Sequence, residues 1–112
     1  MILEKSWGLI KEYVLNQVCT VKIIVISAGQ STSLHHHRLR DDMWIILDAG
    51  LEVQVGDKLY HPTEGDEFVI KAGTGHKITA GKTAGRVLEI DFGFTSEDDV
   101  NYLEPGEAPG PE

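Results

Sequence analysis

Gly29-Gln30-Ser31-Thr32-Ser33-Leu34-His35-His36-His37-Arg38-Leu39-Arg40-Asp41-Asp42-Met43-Trp44 is the stretch that decides how this chain reads. Along a strand, side chains alternate between faces. His35 and His37 therefore share one face, and His36 takes the other. If the chain turns back through Arg38 to Asp41, Asp42 opens the next strand beside the two imidazoles and offers a carboxylate to the same space. A further imidazole lies downstream, His76, where the glycine-rich loop Lys71-Ala72-Gly73-Thr74-Gly75 enters a strand. Neutral imidazole is the commonest protein ligand for a metal ion. Three imidazoles with one carboxylate suit zinc, iron, nickel or manganese, and the donor set alone does not choose among them. In a roughly octahedral site, four protein ligands leave positions open, as chemistry or ligand binding needs; structural zinc sites are closed. Read by themselves, these residues also admit a plain solvated histidine cluster.

Outward from this segment the chain reads as short strands between turns. Val21 to Ile26 is a β-branched run, and Met43 to Leu47 is a second apolar run. Leu51 to Val55 alternates apolar and polar, Gly56-Asp57 predicts a tight hairpin turn, and Lys58 to Tyr60 returns. Glu67 to Ile70, Lys77 to Thr79 and Arg86 to Phe92 complete the set. Ile10 to Leu15 can be a strand, and no convincing amphipathic helix is present. Many short strands with glycine-rich turns predict an all-β sandwich or barrel. One domain over 1–103 is expected, followed by a disordered Pro/Gly/Glu-rich tail over 104–112. Trp7 is expected in the core, Trp44 along the cup that holds the histidines, and Cys19 as a buried thiol on a strand.

The 112 residues carry 18 Asp and Glu against 10 Lys and Arg, a formal net charge of −8. That balance argues against a nucleic-acid partner and against an anionic membrane surface. Arg38 and Arg40 nevertheless place local positive charge beside the histidines, where a small anionic molecule can bind. No apolar run approaches the length of a membrane span, and Met1 to Gly8 lacks the apolar core of a signal peptide, so a cytoplasmic location is expected.

Two segments resemble the paired motifs of the cupin superfamily. The pattern G-x5-H-x-H-x4-E-x6-G falls on Gly29, His35, His37, Asp42 and Ala49; G-x5-P-x-G-x2-H-x3-N falls on Gly65, Lys71, Gly73, His76 and Ala80. The resemblance implies a small cupin, a double-stranded β-helix or jelly-roll barrel, with a divalent transition metal held by His35, His37, Asp42 and His76. Asp42 stands where the pattern has glutamate and is one methylene shorter. Ala49, Lys71 and Ala80 depart at turn and support positions.

A closer resemblance covers about residues 5 to 100. Lys5-Ser6-Trp7-Gly8, Ser33-Leu34-His35-x-His37-x-x-Arg40-x-Asp42-x-Trp44, Gly73-Thr74-x-His76-Lys77 and Glu97-Asp98-Asp99-Val100 are similar to blocks of the C-terminal cupin domain of type II mannose-6-phosphate isomerases. It implies a metal-dependent aldose–ketose isomerase acting on a sugar phosphate or similar small polar anion, with Arg40 or Lys77 holding the anionic group. Candidate bases are Glu89, Asp91 and Tyr60. The family's first ligand position is Gln, here His35; a family histidine falls at Leu39, and a family arginine at Tyr102. These departures keep two alternatives open: a sugar- or small-molecule-binding module without turnover, and an iron-dependent oxygenase. The nucleotidyltransferase domain that often precedes this cupin is not expected in a chain of this length. A homodimer is expected, with Ile10 to Ile26 as the pairing edge.

Overall fold

The computed structural model describes residues 1–93 and 95–103; the tail expected over 104–112 lies outside the described residues. Strands run in chain order as β1 (Ile2–Lys5), β2 (Gly8–Lys11), β3 (Cys19–Ile26), β4 (His35–His36), β5 (Arg40–Ile46), β6 (Leu51–Val55), β7 (Lys58–Tyr60), β8 (Glu67–Ile70), β9 (His76–Ala80), β10 (Gly85–Gly93) and β11 (Asn101–Tyr102). No helix occurs among the described residues. β1 and β2 form a separate hairpin. The rest make two antiparallel sheets, ordered β3-β10-β5-β8 and β11-β4-β9-β6-β7.

Period-two patterning sets which side of each strand faces in. In β5, Arg40, Asp42, Trp44 and Ile46 are buried and the residues between them are half-exposed; in β9, His76, Ile78 and Ala80 are the buried ones. The apolar core draws on both sheets: Ile26, Trp44, Ile46, Ile70 and Val87 from one, Leu51, Val53, Ile78 and Ala80 from the other. The sheets approach closely at Gly85, where a Cβ would lie 2.4 Å from Leu51 Cδ2. Only hydrogen fits there without moving the core leucine.

Cross-strand register divides this interior into an apolar end and a polar end. Val87 pairs with both Ile24 and Ile46, a row of aliphatics. The next inward row joins Lys22, Glu89 and Trp44, and the one beyond it joins Thr20, Asp91 and Asp42. On the facing sheet His35 pairs with His76. Among the described residues, the buried charge and imidazole thus lie at one end of the barrel.

The hairpin turn at Gly56-Asp57 forms as expected: Val55 pairs with Lys58 and Gly56 takes φ 61°, a conformation open to glycine at little cost. Three expectations are corrected. Trp7 is 72% exposed, at the tip of the β1–β2 hairpin and away from the core. The strand around Ile10 ends at Lys11, because the chain leaves the hairpin there, with Asn16 at φ 53°. Cys19 is half-buried, since it begins β3 where that edge strand opens to solvent.

Candidate metal centre

β4 and the residue after it carry His35 and His37, β9 opens with His76, and β5 carries Asp42. All four side chains are buried. One ring nitrogen from each of His35, His37 and His76 lies within 4.8 Å of the other two. His36, on the opposite face, is only half-buried, as strand alternation requires.

The orientation of the rings follows from what their other nitrogens touch. His37 Nδ1 is 2.7 Å from the Asp99 carbonyl, His35 Nδ1 is 2.9 Å from the Ser33 carbonyl, and His76 Nδ1 is 2.9 Å from the Thr74 carbonyl. A carbonyl oxygen can only accept, so in each ring the hydrogen is on Nδ1 and Nε2 keeps its lone pair. Outer partners of this kind fix the tautomer of metal-binding histidines. Asp42 Oδ2 stands 3.7 Å from His37 Nε2 and 3.9 Å from His76 Nε2. Among the described residues, neither Asp42 Oδ2 nor His76 Nε2 has a hydrogen-bond partner. Buried polar atoms without partners are costly. Here two of them face one another across a space lined by nitrogen lone pairs. The donors suit a divalent cation.

Burial is the main force on the rings: it pushes His37 down to about 4 and His76 down to about 3, and lowers His35 as well. They are therefore neutral, as ligation requires, throughout the neutral range. Asp42 is raised, chiefly by burial, although the Arg40 guanidinium pulls the other way. Glu89 is raised for the same reason, helped by Asp91. Burial would raise Asp91 too, but its contacts with Glu89, the Lys22 ammonium and Asp42 hold it low.

These shifts predict a signed effect of pH on the metal-free protein. As pH falls below about 6.5 the unfolded chain protonates its histidines. The folded chain refuses those protons, so the unfolded state binds more and stability drops with falling pH. Asp42 and Glu89 act oppositely, since their folded pKa values are raised: their contribution is present at low pH and lost as pH rises through those values. Comparing wild type with His76→Leu cancels most of the carboxylate part. Between pH 7.5 and 4.5 the variant should gain roughly 2 kcal/mol relative to wild type, read from urea unfolding of chelator-treated protein. Parallel profiles would mean that His76 titrates as a solvated ring.

Arg40 is buried with this set: Nε donates to Asp42 Oδ1 at 2.8 Å, and an Nη–H donates to His37 Nε2 at 2.9 Å. Glu89 and Asp91 join Asp42 as a carboxylate trio whose oxygens lie within 4.8 Å of one another, and Lys22 reaches Asp91 at 3.0 Å. The structure does not bring Lys77 or Tyr60 to the cup. Lys77 follows His76 on β9 and faces the other side of the sheet, while Tyr60 sits 37% exposed on the edge strand β7, packed on Phe68. Trp44 lines the cup as expected, edge-on to His76 with ring centroids 5.3 Å apart, its indole N–H donating to Glu89 at 2.8 Å.

Asp99 is the residue that sequence reasoning did not single out. Its carboxylate accepts from the backbone N–H groups of Arg38 and Leu39, and its carbonyl orients His37. It holds the start of the turn that returns the chain from His37 to Asp42. The only signal in the sequence is its place in Glu97-Asp98-Asp99-Val100.

A two-sheet antiparallel barrel with buried imidazoles at one end is the architecture of a small cupin. Solved structures agree: a cupin protein from Bacteroides fragilis has a TM-score of 0.60 at 18% identity, over 77% of this chain and 85% of that one. The capsular polysaccharide assembling protein CapF of Staphylococcus aureus has a TM-score of 0.68 at 15% identity, over 93% of this chain and 32% of that one. Residues 2–105 match the family described as mannose-6-phosphate isomerase C-terminal, and the chain belongs to that family. Xanthan biosynthesis protein XanB of Xanthomonas campestris pv. campestris (strain B100) is 30% identical over 102 residues, covering 89% of this chain. The chain spans 22% of that relative's length. No helix among the described residues is long and apolar enough to cross a membrane.

Proposed function

We propose that this chain is a cytoplasmic, metal-dependent aldose–ketose isomerase for a sugar phosphate or a similar small polar anion, with His35, His37, Asp42 and His76 as the metal ligands. The observation that carries the reading is a cluster of three Nδ1–H imidazoles, His35, His37 and His76, two of which, His37 and His76, stand 3.7 and 3.9 Å from Asp42 Oδ2, an oxygen with no hydrogen-bond partner among the described residues. Membership of a family described by its isomerase supports the reaction class. Zinc, manganese, iron and nickel all accept such donors.

A divalent cation in this set supplies Lewis acidity toward a carbonyl and its neighbouring hydroxyl. The chain's own residues supply the proton transfer. Of the three candidate bases, Glu89 and Asp91 stand beside Asp42, and Tyr60 does not. Glu89 Oε1 is fixed by the Trp44 indole and Oε2 lies 3.8 Å from the Lys22 ammonium; Oε2 is the oxygen that would take a proton from one carbon and return it to the next. Its raised pKa suits a group that must carry the proton for part of the cycle. Arg40 is the cation available for the anionic group of the substrate. The outward-facing row Val21, Ile23 and Val25 on edge strand β3 supports pairing with a second copy in a homodimer.

A second reading, a binding module without turnover, is favoured by one observation. Leu39, at the place of a family histidine, is 61% exposed and adds no polar group to the cup.

The test has two parts. Elemental analysis of untagged protein is expected to find about one transition metal per chain, held by the three imidazoles and Asp42. Mannose, glucose and fructose phosphates are then offered to the loaded protein. Interconversion supports the isomerase. Metal and sugar-phosphate binding without product would leave the binding module as the better reading. A protein that stays empty after exposure to zinc, manganese, iron and nickel would remove the metal reading.

A further inference from the structure

Arg40 makes two contacts that do not sit easily with a permanent role as a substrate anchor. Its guanidinium is buried, and it spends one N–H on the lone pair of His37 Nε2, the same lone pair that a metal ligand must donate. Its Nε spends another on Asp42 Oδ1 and lies 3.6 Å from Asp91 Oδ1. A unit positive charge therefore occupies the wall where a divalent cation would meet His37 and Asp42. The two cations compete for one lone pair and for one region of negative charge.

An alternative seat for the guanidinium lies next to it. A small cavity is lined by Lys22, Arg40, Thr95, Ser96, Glu97 and Val100. Thr95 Oγ1 is buried with no hydrogen-bond partner among the described residues, and Glu97 and Lys22 border the same space. A hydroxyl oxygen with no partner among the described residues, in a space that a carboxylate also lines, is a place that an arginine can occupy even with Lys22 on the same wall.

We infer that Arg40 is an internal cation that holds the metal seat closed and swings off His37 when a divalent ion binds, releasing its guanidinium toward Thr95 and Glu97. The inference rests on the metal reading of the cup and adds to it a competition: the closed position of Arg40 and a bound divalent ion exclude one another at His37 Nε2. Arg40 is a positioning residue in this account, and its effect is on metal affinity before any turnover.

Calorimetric titration of chelator-treated protein with Mn²⁺ and with Zn²⁺ tests it, using wild type, Arg40→Leu and Arg40→Met. Removing the competing cation should tighten metal binding about tenfold or more in both variants, as expected from loss of a like charge at close range. Arg40→Met keeps most of the stem, so it serves should Arg40→Leu fold poorly; circular dichroism checks both. The rise in melting temperature on adding metal should be larger for the variants than for wild type. Wild type that binds metal while both variants bind it equally or more weakly overturns the inference and leaves the metal reading standing. Absence of metal binding by all three proteins overturns both together.

Discussion

Trp44→Ala is expected to cost about 3–5 kcal/mol of folding stability from the lost packing alone. Trp44 is 1% exposed and is the largest side chain in the fully buried part of the interior. It lies in register between Glu89 on β10 and Phe68 on β8, and its ring meets His76 edge-on across the barrel. Truncation opens a cavity at the junction of the apolar and polar ends, where backbone on both sides is tied into sheets and cannot collapse. It also strips Glu89 of its indole donor, and a buried acceptor left alone costs about 1–3 kcal/mol more. Against a total of roughly 5–15 kcal/mol for an ordinary domain, that leaves little margin. Trp44→Phe separates the two contributions: it keeps most of the packing and loses the hydrogen bond, so it should fall well short of the alanine loss. Urea midpoints for the two variants measure this. An alanine variant within about 1 kcal/mol of wild type would contradict the buried position of the ring.

The same residue shows why parts of this protein are legible from sequence. Asp42 and Trp44 are two apart in a run that reads as a strand, so period-two alternation alone places them on one face. The alternation extends back to Arg40, which joins the cup for the same reason. Leu51 to Tyr60 reads correctly because its pattern and its turn agree: alternating apolar residues flank a Gly-Asp pair with the chemistry that a two-residue hairpin needs. The β1–β2 hairpin had no such agreement. Its turn is Ser6-Trp7, between Lys5 and Gly8, and only Ser6 is a turn former, without the Asn-Gly or Asp-Gly chemistry of a strong hairpin signal. A tryptophan there reads as core by size and hydrophobicity, and its exposure follows from a hairpin that packs outside both sheets.

Long-range support was the other illegible part. Asp99 is 62 residues from His37 in sequence, and their hydrogen bond depends on β11 pairing with β4. Local pattern carries no information about that pairing. The sequence does not rank Glu89, Asp91 and Tyr60 as candidate bases; the register of β10 against β5 sets Asp91 directly opposite Asp42. Asp91 is 0% exposed, a placement no composition argument predicts for a carboxylate in an acidic chain.

Replacing His37 and His76 together by alanine should reduce metal affinity by at least about a hundredfold, because each lost imidazole removes a neutral donor already oriented by a backbone carbonyl. His37 and His76 are the two rings that approach Asp42 Oδ2, at 3.7 and 3.9 Å. The double variant therefore leaves His35 and one carboxylate, too few donors to outcompete water for a divalent cation at ordinary affinity. Arg40 amplifies the loss. Without His37 its second N–H has no nitrogen to meet, and the guanidinium can settle wholly on Asp42 and Asp91. The remaining carboxylate is then neutralised by a fixed cation rather than by a metal. The backbone carbonyls of Thr74 and Asp99 lose their imidazole partners, so a fall in stability accompanies the change. That fall must be separated from the loss of metal. Calorimetry below the melting temperature does so, with circular dichroism confirming the β-fold. A folded double variant that binds zinc or manganese as tightly as wild type would place the metal elsewhere, and the carboxylate trio of Asp42, Glu89 and Asp91 would be the next set to remove.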